Sequence, residues 1–511
     1  MTLANRLRTC ISTPTRLFAG LALWLMALAV WRPLAVPDEG RYTDVARWML
    51  RSGDWVVPRL NGLPFLHKPP LYYWIEAAGM AAFGPTLLVA RLASLLGAML
   101  ACVAAYALVR RLMDERSARW TAVLLLTNPF MVLGSQYANL DMLVAGCISA
   151  TIALAALACQ GERPTQRWLW WAAYAAAGLS VLAKGLIGLV LPGAVFTLWA
   201  LLDRQPRRLL RSLSLVGLVL LALIVVPWFL LAEQRVPGLI HFFVVVQHFQ
   251  RYTEAGFNNA WGPWFYPAVL ALGLLPWSLI AWPAWRDRGR TDPAAPAQRQ
   301  SLQRLALAWF VVVMVFFSIP RSKLVGYILP LLPAAAILLG PWVARWPHRK
   351  PVAALGALLC VVLVGVATQK QPQEAAQLAQ ALKSHIRPTD DIAFWNCYDY
   401  AVPVVLDRAK PVLVVGDWAP SSRQLPDNWR RELAEGREFE PASGSALISP
   451  EQWASHVAAT TKTPVVIWLW ASREQVAKEP GLQAWPIVAS EGPVVVLKIT
   501  QPPVSETPNS D

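Results

Sequence analysis

The sequence predicts a polytopic helical membrane protein with a C-terminal α/β domain. Of its 511 residues, 56% are hydrophobic and only 15% are charged, whereas a soluble domain carries about 25% charged residues. The mean hydropathy is +0.40, and apolar runs long enough to cross a bilayer recur before residue 370. Together these observations exclude an ordinary soluble protein.

Eleven apolar runs reach spanning length, and one or two short re-entrant segments would raise the count to as many as 13 helices. We therefore expect an all-α membrane bundle over residues 1–369. The runs lie at about 15–36, 87–109, 118–137, 140–159, 166–183, 185–202, 209–232, 263–285, 304–320, 324–343 and 351–369.

The net charge of +15 does not indicate nucleic-acid binding, because the basic residues cluster in short connections between the apolar runs. The positive-inside rule assigns these connections, and the N-terminus, to the cytoplasm. The remaining connections are then outside, at 37–86, 138–141, 183–185, 233–262 and 320–323. An odd number of spans places the C-terminal domain outside as well.

Two helices lying in the membrane interface are predicted within the outside connection 37–86, at 41–52 and 70–83. The first combines an apolar stripe with a charged face. The stripe is Val45, Trp48 and Met49, and the charged face is Arg41, Asp44, Arg47 and Arg51. After residue 370, a segment of helical period at 373–386 is followed by short β-rich runs at 391–397, 411–416, 464–470 and 493–499. This composition predicts a soluble α/β domain over 370–511.

Ionisable side chains gather near the outer ends of the predicted spans. Such residues are costly at a membrane-embedded surface and therefore indicate function. If the spans form a bundle, we expect these groups to meet in one cavity at the outer face. The set comprises Asp38, Glu39, Arg41, His67, Lys68, Asp141, Lys184, His248, Arg251 and Lys323, with Tyr327 just inside the following span.

These residue types suit displacement at the anomeric carbon of a sugar, with a lipid phosphate as the leaving group. Asp38 is best placed to deprotonate or orient the acceptor. The candidate cations for neutralising the leaving phosphate are Lys68, Arg251 and Lys323.

Three further residues extend this constellation. Asp141 is a candidate for holding the sugar or a metal ion. His67 and His248 are candidates for metal ligands or for hydrogen-bond donors to the phosphate.

Each candidate also has a structural interpretation. Asp38 and Glu39 could cap the helix that follows them, and Lys68 could extend to lipid headgroups. Lys184, Lys323 and Tyr327 could be ordinary residues of the membrane interface. The placement of all of them on one side of the membrane favours the functional interpretation.

Several sequence blocks resemble the lipid A aminoarabinose transferases and their relatives among bacterial protein-mannosyltransferase-like enzymes. The blocks are D-E-x-R-Y at 38–42, L-x-S-G-D-W-V-V-P-x-L-N-G at 50–62, K-P-P-L-x-Y-W at 68–74, G-L-S-V-L-A-K-G at 178–185, H-F-x-R-Y at 248–252 and S-K-L-x-x-Y-I-L-P at 322–330. The resemblance runs from about residue 30 to residue 345.

The resemblance implies the GT-C fold, a transmembrane helix bundle with its catalytic cavity on the periplasmic face. It implies that Asp38 acts in catalysis with Arg41 as its partner, and that Asp141 is a second acidic residue of the cavity. It also places three residues around the donor phosphate, namely Lys68, Arg251 and Tyr327.

One departure from the family pattern concerns a metal ion. Family members often carry Glu before the Lys of K-P-P, where this chain has His67. A divalent metal ion is therefore left open, with His67 and His248 as its candidate ligands.

The expected activity is transfer of a sugar from an undecaprenyl-type phosphate carrier to lipid A or another envelope acceptor, with inversion. The expected location is the bacterial inner membrane, with a cytoplasmic N-terminus and a periplasmic C-terminal domain. Membrane lipids are further expected partners, whereas nucleic acid is not.

Alternative interpretations are a transporter or flippase of lipid-linked saccharides, a related transferase with a protein or other glycan acceptor, and a membrane anchor for a binding domain. A transporter should show inverted halves with charges at mid-span. Here the polar groups gather at one end of the spans, which favours an enzyme.

Overall fold

A computed structural model describes residues 13–160, 167–250, 260–288, 296–369, 373–460 and 462–500. The chain divides into two compact units. The first combines the residues up to Pro33 with His67–Lys370, and the second combines Leu34–Leu66 with the residues after Lys370. The second unit is therefore assembled from two distant parts of the sequence.

The first unit is helical. Six of its described helices are long and apolar enough to cross a membrane, and the number rises to seven if a pair of helices bent by 100° forms one span. The six are Leu92–Leu112, Leu140–Ala158, Leu215–Arg235, Ala297–Ser318, Val325–Val343 and Arg349–Gln369, and the bent pair is Phe265–Gly273 with Trp277–Ala284. This confirms a multi-pass helical bundle.

The other predicted spans are helical but shorter or interrupted, so the count of eleven stays a prediction. They form Thr13–Ala29, Glu115–Leu126 with Pro129–Ser135, Arg167–Lys184 and Ile187–Leu202. The smaller helices of this unit are Leu71–Phe83, Leu87–Ala90, Arg207–Ser212, Leu239–His241, the π-helix Phe242–Gln250, Ala281–Arg288 and the 3₁₀ turns Trp277–Ile280 and Val325–Leu331. Helix Leu71–Phe83 lies where the second helix of the 37–86 connection is predicted.

The two most closely packed helices of the first unit are Leu92–Leu112 and Leu140–Ala158. A Cβ atom on Gly97 would overlap the Met142 carbonyl, and one on Gly146 would overlap the backbone of Gly97. Small residues let two membrane helices approach this closely. The second helix is consequently buried along most of its length, and it carries Asp141 in its first turn.

The second unit contains a six-stranded sheet in the order β5-β4-β3-β6-β8-β7. Its strands are β3 Asp391–Trp395, β4 Leu413–Val415, β5 Leu447–Ile448, β6 Ile467–Ser472, β7 Ile487–Glu491 and β8 Val494–Ile499. Strands β3 to β6 pair in parallel, and β8 pairs antiparallel with both β6 and β7. This confirms the predicted C-terminal α/β domain.

One helix precedes the sheet and others connect its strands, as parallel pairing requires. They are Glu374–Leu382, Ala401–Val405, Trp429–Phe439, Pro450–Thr460, Arg473–Lys478 and Pro480–Gln483, with 3₁₀ turns at Ser422–Gln424 and Pro441–Ala446. On one face of the sheet, Trp395 and Trp453 pack with Ile467, Leu469 and Leu497 in a common apolar core.

The segment Leu34–Leu66 supplies the helix Asp38–Ser52 and a small hairpin, β1 Arg59–Leu60 with β2 Leu63–Pro64. The Asn61 side chain at the hairpin tip bonds the Val412 backbone in both directions. Its amide donates to the Val412 carbonyl at 2.9 Å and accepts from the Val412 N–H at 2.8 Å. The sequence predicts that residues 37–86 belong wholly to the membrane domain, but their first half packs with the C-terminal sheet.

The helix predicted at 41–52 begins earlier, at Asp38, and its charged face is only partly solvated. Asp44 and Arg47 are buried and pair with each other at 2.7 Å, and Arg47 also donates to the Arg408 carbonyl. These two charges of the predicted charged face are therefore satisfied within the second unit and not by solvent.

Candidate functional site

Asp38 and Arg41 form an ion pair in the first turn of the helix Asp38–Ser52. Their spacing of three residues places both on one helical face. The side chain of Asp38 remains 27% exposed, whereas that of Arg41 is 15% exposed. The carboxylate is therefore accessible while its partner is largely enclosed.

Arg41 is held by a second carboxylate, that of Glu432 on the helix Trp429–Phe439. Its guanidinium also lies over the rings of Tyr42 and Tyr400, 5.1 and 5.7 Å from their centroids. Burial alone lowers the pKa of Arg41, but the charge of Glu432, with Tyr42 and Asp38, outweighs burial and raises that pKa above its ordinary value. Arg41 is thus a fixed positive charge.

Glu39 is fully buried and accepts a hydrogen bond at 2.6 Å from the Ala35 N–H. This hydrogen bond supports a structural role for Glu39, since its carboxylate holds the backbone just before the helix begins. No side chain caps the helix at Pro37, the residue before Asp38, so Asp38 is not its cap.

In the first unit, the structure brings together Asp141, Lys184 and Tyr327. Lys184 forms an ion pair with Asp141, and its ammonium group lies 4.6 Å from the centroid of the Tyr327 ring. Asn139 caps the helix that carries Asp141 by accepting from the Asp141 N–H at 3.0 Å. Asp141 therefore stands at a helix N-terminus and Lys184 at a helix C-terminus, which is the favourable polarity for both charges.

Gly326, beside Tyr327, lets the segment that carries Tyr327 lie close to the Asp141–Lys184 pair. A Cβ atom at this position would lie 2.5 Å from Oδ2 of Asp141, so a side chain here would displace the carboxylate. The glycine of this segment is thus required by the geometry of the Asp141–Lys184–Tyr327 cluster.

Lys323 is buried, and its Nζ donates to the Trp261 carbonyl at 3.0 Å and to the Pro320 carbonyl. Ala260 forms an antiparallel bridge with Ser322 next to it. Two of the three N–H donors of Lys323 therefore join two segments of backbone. Its predicted role at the donor phosphate stays a prediction, and the structure adds a role in holding this loop.

His67 and Lys68 are half-buried and precede the helix Leu71–Phe83. The His67 ring lies 5.8 Å from the ring of Phe242. The side chain of His248 and all of Arg251 lie outside the described residues, so their predicted roles stay predictions.

The described parts of the chain contain no group of three or more His, Cys, Asp or Glu side chains that could hold a metal ion. Asp141 is neutralised by Lys184, and His67 lies beside an aromatic ring. These residues do not fit a metal site as they stand, and the metal ion stays a prediction.

The sequence-based hypothesis expected all these groups in one cavity. Asp38, Glu39 and Arg41 belong to the second unit, and His67, Lys68, Asp141, Lys184, Lys323 and Tyr327 belong to the first. The structure supports two local clusters, one in each unit, and the single cavity stays a prediction.

Sequence reasoning missed Glu432 and Tyr400, because they lie in a domain without recognisable motifs. It also missed Glu76, a fully buried carboxylate on the helix Leu71–Phe83. An acidic residue in the otherwise apolar stretch Y-Y-W-I-E-A-A-G at 72–79 is the signal that could have found it.

Comparison with known proteins matches the first unit to a family. The family described as dolichyl-phosphate-mannose-protein mannosyltransferase matches residues 67–230. A Sodalis glossinidius protein named undecaprenyl phosphate-alpha-4-amino-4-deoxy-L-arabinose arabinosyl transferase 1 is 34% identical over 344 residues, covering 63% of this chain and 59% of the relative. A protein of the same name from Pseudomonas fluorescens is 31% identical, covering 64% and 56%. These alignments span less than two thirds of the relatives' length.

Comparison with solved structures covers nearly the whole chain. The crystal structure of ArnT from Cupriavidus metallidurans bound to undecaprenyl phosphate matches with a TM-score of 0.82 at 26% identity, covering 95% of this chain and 97% of that one. An oligosaccharyltransferase from Archaeoglobus fulgidus shares the fold at a TM-score of 0.51 and 15% identity, covering 77% and 63%. The predicted resemblance is therefore confirmed: the chain has the GT-C fold and is similar to ArnT and to the aminoarabinose transferases.

Proposed function

We propose that this chain is a membrane glycosyltransferase that moves a sugar from an undecaprenyl-type phosphate carrier to lipid A or another envelope acceptor. The observation that carries the proposal is the accessible Asp38 carboxylate, held by Arg41, in a chain similar over nearly its whole length to ArnT. The curated relatives are named as aminoarabinose transferases that use this carrier, which supports an aminopentose as the sugar.

The proposed chemistry is a single inverting displacement. An acceptor oxygen forms a bond to C1 of the sugar while the bond from C1 to the phosphate oxygen breaks. The electron pair of that bond leaves on the polyprenyl phosphate. Asp38, held by Arg41, orients the acceptor and takes its proton where the acceptor carries one.

The departing phosphate needs positive charge and hydrogen-bond donors. We assign this task to Lys68, Arg251, Lys323 and Tyr327. Lys323 also bonds two backbone carbonyls, one of them in the loop that leads to Tyr327. Asp141, paired with Lys184 beside the Tyr327 ring, holds that ring in position and remains the candidate for contacting the sugar. No step of the mechanism is assigned to a metal ion.

The reaction takes place, on this proposal, on the periplasmic face of the inner membrane. The support is the charge asymmetry of the connections, since the basic ones alternate with those that carry the site residues. The same asymmetry supports a cytoplasmic N-terminus and a periplasmic C-terminal domain, residues 370–511.

Replacing Asp38 by Ala tests the proposal. We expect turnover of a polyprenyl-phosphate-linked aminopentose by the purified protein to fall by about 100-fold or more, because the acceptor loses its base and orienting group. The matched control is Asp417→Ala, which removes an exposed carboxylate elsewhere in the second unit.

Near-normal turnover by the Asp38 variant contradicts the assignment of this residue. The acceptor is tested separately by mass spectrometry of lipid A from cells with and without the gene. An added aminopentose that depends on the gene supports lipid A as the acceptor, and unchanged lipid A directs attention to another envelope glycan or a protein.

A further inference from the structure

The helix Trp429–Phe439 in the C-terminal part of the chain supplies one of the two carboxylates that hold Arg41. Asn428 caps this helix by accepting from the Arg430 N–H at 3.0 Å. Glu432 follows in its first turn and is buried, with 8% of its side chain exposed. It accepts from Nη1 of Arg41, while Asp38 accepts from Nη2 of the same guanidinium. The guanidinium is thus shared between an accessible carboxylate and a buried one.

The second oxygen of Glu432 is also occupied. The Tyr400 hydroxyl donates to Oε2 at 2.7 Å, and burial together with the charge of Glu432 raises the pKa of Tyr400 well above its ordinary value. Tyr400 therefore stays protonated and remains a donor. Because both oxygens of Glu432 accept hydrogen bonds, its position is fixed.

The backbone beside Arg41 is built for close approach to Tyr400. A Cβ atom on Gly40 would lie 3.0 Å from the carbonyl carbon of Tyr400, from its Cβ and from the Ala401 nitrogen. The first turn of the helix Asp38–Ser52 therefore rests directly on the turn that carries Tyr400. This contact brings Arg41 within reach of Glu432.

We propose that Glu432 is a positioning residue for the glycosyl transfer, acting through Arg41 to hold Asp38 in its productive orientation. This inference rests on the proposed function and gives the C-terminal α/β domain a part in the reaction. Glu432 anchors one edge of the guanidinium, Tyr42 and Tyr400 lie against it, and the other edge is presented to Asp38. Without Glu432, Arg41 is free to follow Asp38, and the pair loses its fixed geometry.

Glu432→Gln is the discriminating substitution. It keeps the shape of the side chain but replaces one acceptor oxygen by an amide donor, which then faces either the guanidinium or the Tyr400 hydroxyl. We expect kcat to fall by about 10- to 100-fold, as for other small misplacements of catalytic groups, with KM for the lipid-linked donor unchanged. Tyr400→Phe, which removes only the hydroxyl anchor, should lower kcat in the same direction and by less.

The control is Glu435→Gln on the same helix. Glu435 is also a largely buried carboxylate, but its ion pair is with Arg431, at 3.0 Å. A general weakening of the helix would affect this variant equally. Thermal unfolding of each variant separates loss of folding from loss of positioning.

A double-mutant cycle tests whether the effect passes through Arg41. In an Arg41→Gln background, the Glu432→Gln substitution should cause almost no further loss of kcat, because its only route to Asp38 is gone. Equal losses in both backgrounds, a wild-type kcat for Glu432→Gln, or equal loss in Glu435→Gln would each overturn the inference while the proposed function stands. A wild-type protein that fails to turn over any polyprenyl-phosphate sugar would overturn both.

Discussion

At the residue scale, several positions of the sequence motifs serve structure instead of chemistry. In the block at 50–62, Gly53 ends a helix at φ 69°, and Asp54 accepts from the Val56 and Val57 N–H groups. Asn61 bonds Val412 in both directions, and a Cβ atom on Gly62 would lie 2.9 Å from Cγ of Pro411. The longest family motif in this chain therefore fixes a loop onto the C-terminal sheet.

Asn61→Ala should destabilise the second unit by about 2 kcal/mol, because the Val412 N–H and carbonyl lose their partners in a buried position. The readout is alkylation of Cys397 in a variant with no other cysteine. Burial raises the pKa of this thiol to about 12, so labelling reports opening, and we expect a roughly 30-fold faster rate.

The control for this substitution is Asn396→Ala. Asn396 is exposed and has a φ of 50°, against 51° for Asn61, so both variants carry the same backbone strain. Equal labelling rates in the two variants would contradict a special role for the Asn61 hydrogen bonds.

At the element scale, the helix Asp38–Ser52 shows which features a sequence pattern predicts and which it does not. Its periodicity predicted a helix with Val45, Trp48 and Met49 on the apolar face, of which Val45 and Met49 are buried and Trp48 is half-buried. The same periodicity predicted a charged face, but it could not show that Asp44 and Arg47 are buried with partners on their own turn or more than 300 residues away. Local patterns identify an amphipathic helix but not the distant segment that covers it.

The candidate site was likewise predictable from the sequence only in part. The family resemblance implied Arg41 as the partner of Asp38, and the structure contains an ion pair between them. Asp141 lies in the first turn of a helix, at the start of a predicted span. The partners Glu432 and Tyr400 were not predictable, since nothing local to residues 38–42 specifies a contact to residues 400 and 432.

Gly40→Ala tests how tightly that helix must pack. The added methyl group meets backbone atoms at 3.0 Å, so we expect faster Cys397 labelling and lower turnover despite the better helix propensity of Ala. Gly481→Ala is the matched control, because a Cβ atom there meets nothing within 4 Å. If the Gly40 variant is as stable and active as the control, the close approach is dispensable.

At the scale of the whole molecule, the discontinuous second unit constrains membrane topology. Leu34–Leu66 and the residues after Lys370 form one compact unit, so they must lie on the same side of the membrane. The chain between them therefore crosses an even number of times. The ten runs predicted after the first span satisfy this parity.

Single cysteines at two exposed positions, Ser52→Cys and Lys462→Cys, should react alike with a membrane-impermeant thiol reagent in intact cells with a permeable outer membrane. Arg207→Cys, in a basic connection, should react only after lysis. Opposite behaviour of the first two variants would contradict the shared side, and labelling of Arg207→Cys in intact cells would reverse the proposed orientation.

The division of the second unit between two distant segments also sets an order of events during biosynthesis. When Leu34–Leu66 leaves the ribosome, its partner strands are not yet synthesised, and His67–Lys370 must follow first. At about 5–20 residues per second, that interval lasts roughly 15 to 60 s. Throughout it, Asn61, Arg47 and Arg41 lack Val412, Arg408 and Glu432. The Asp38–Arg41 pair thus acquires its complete set of contacts only near the end of translation, so a truncated chain would insert in the membrane without a completed site.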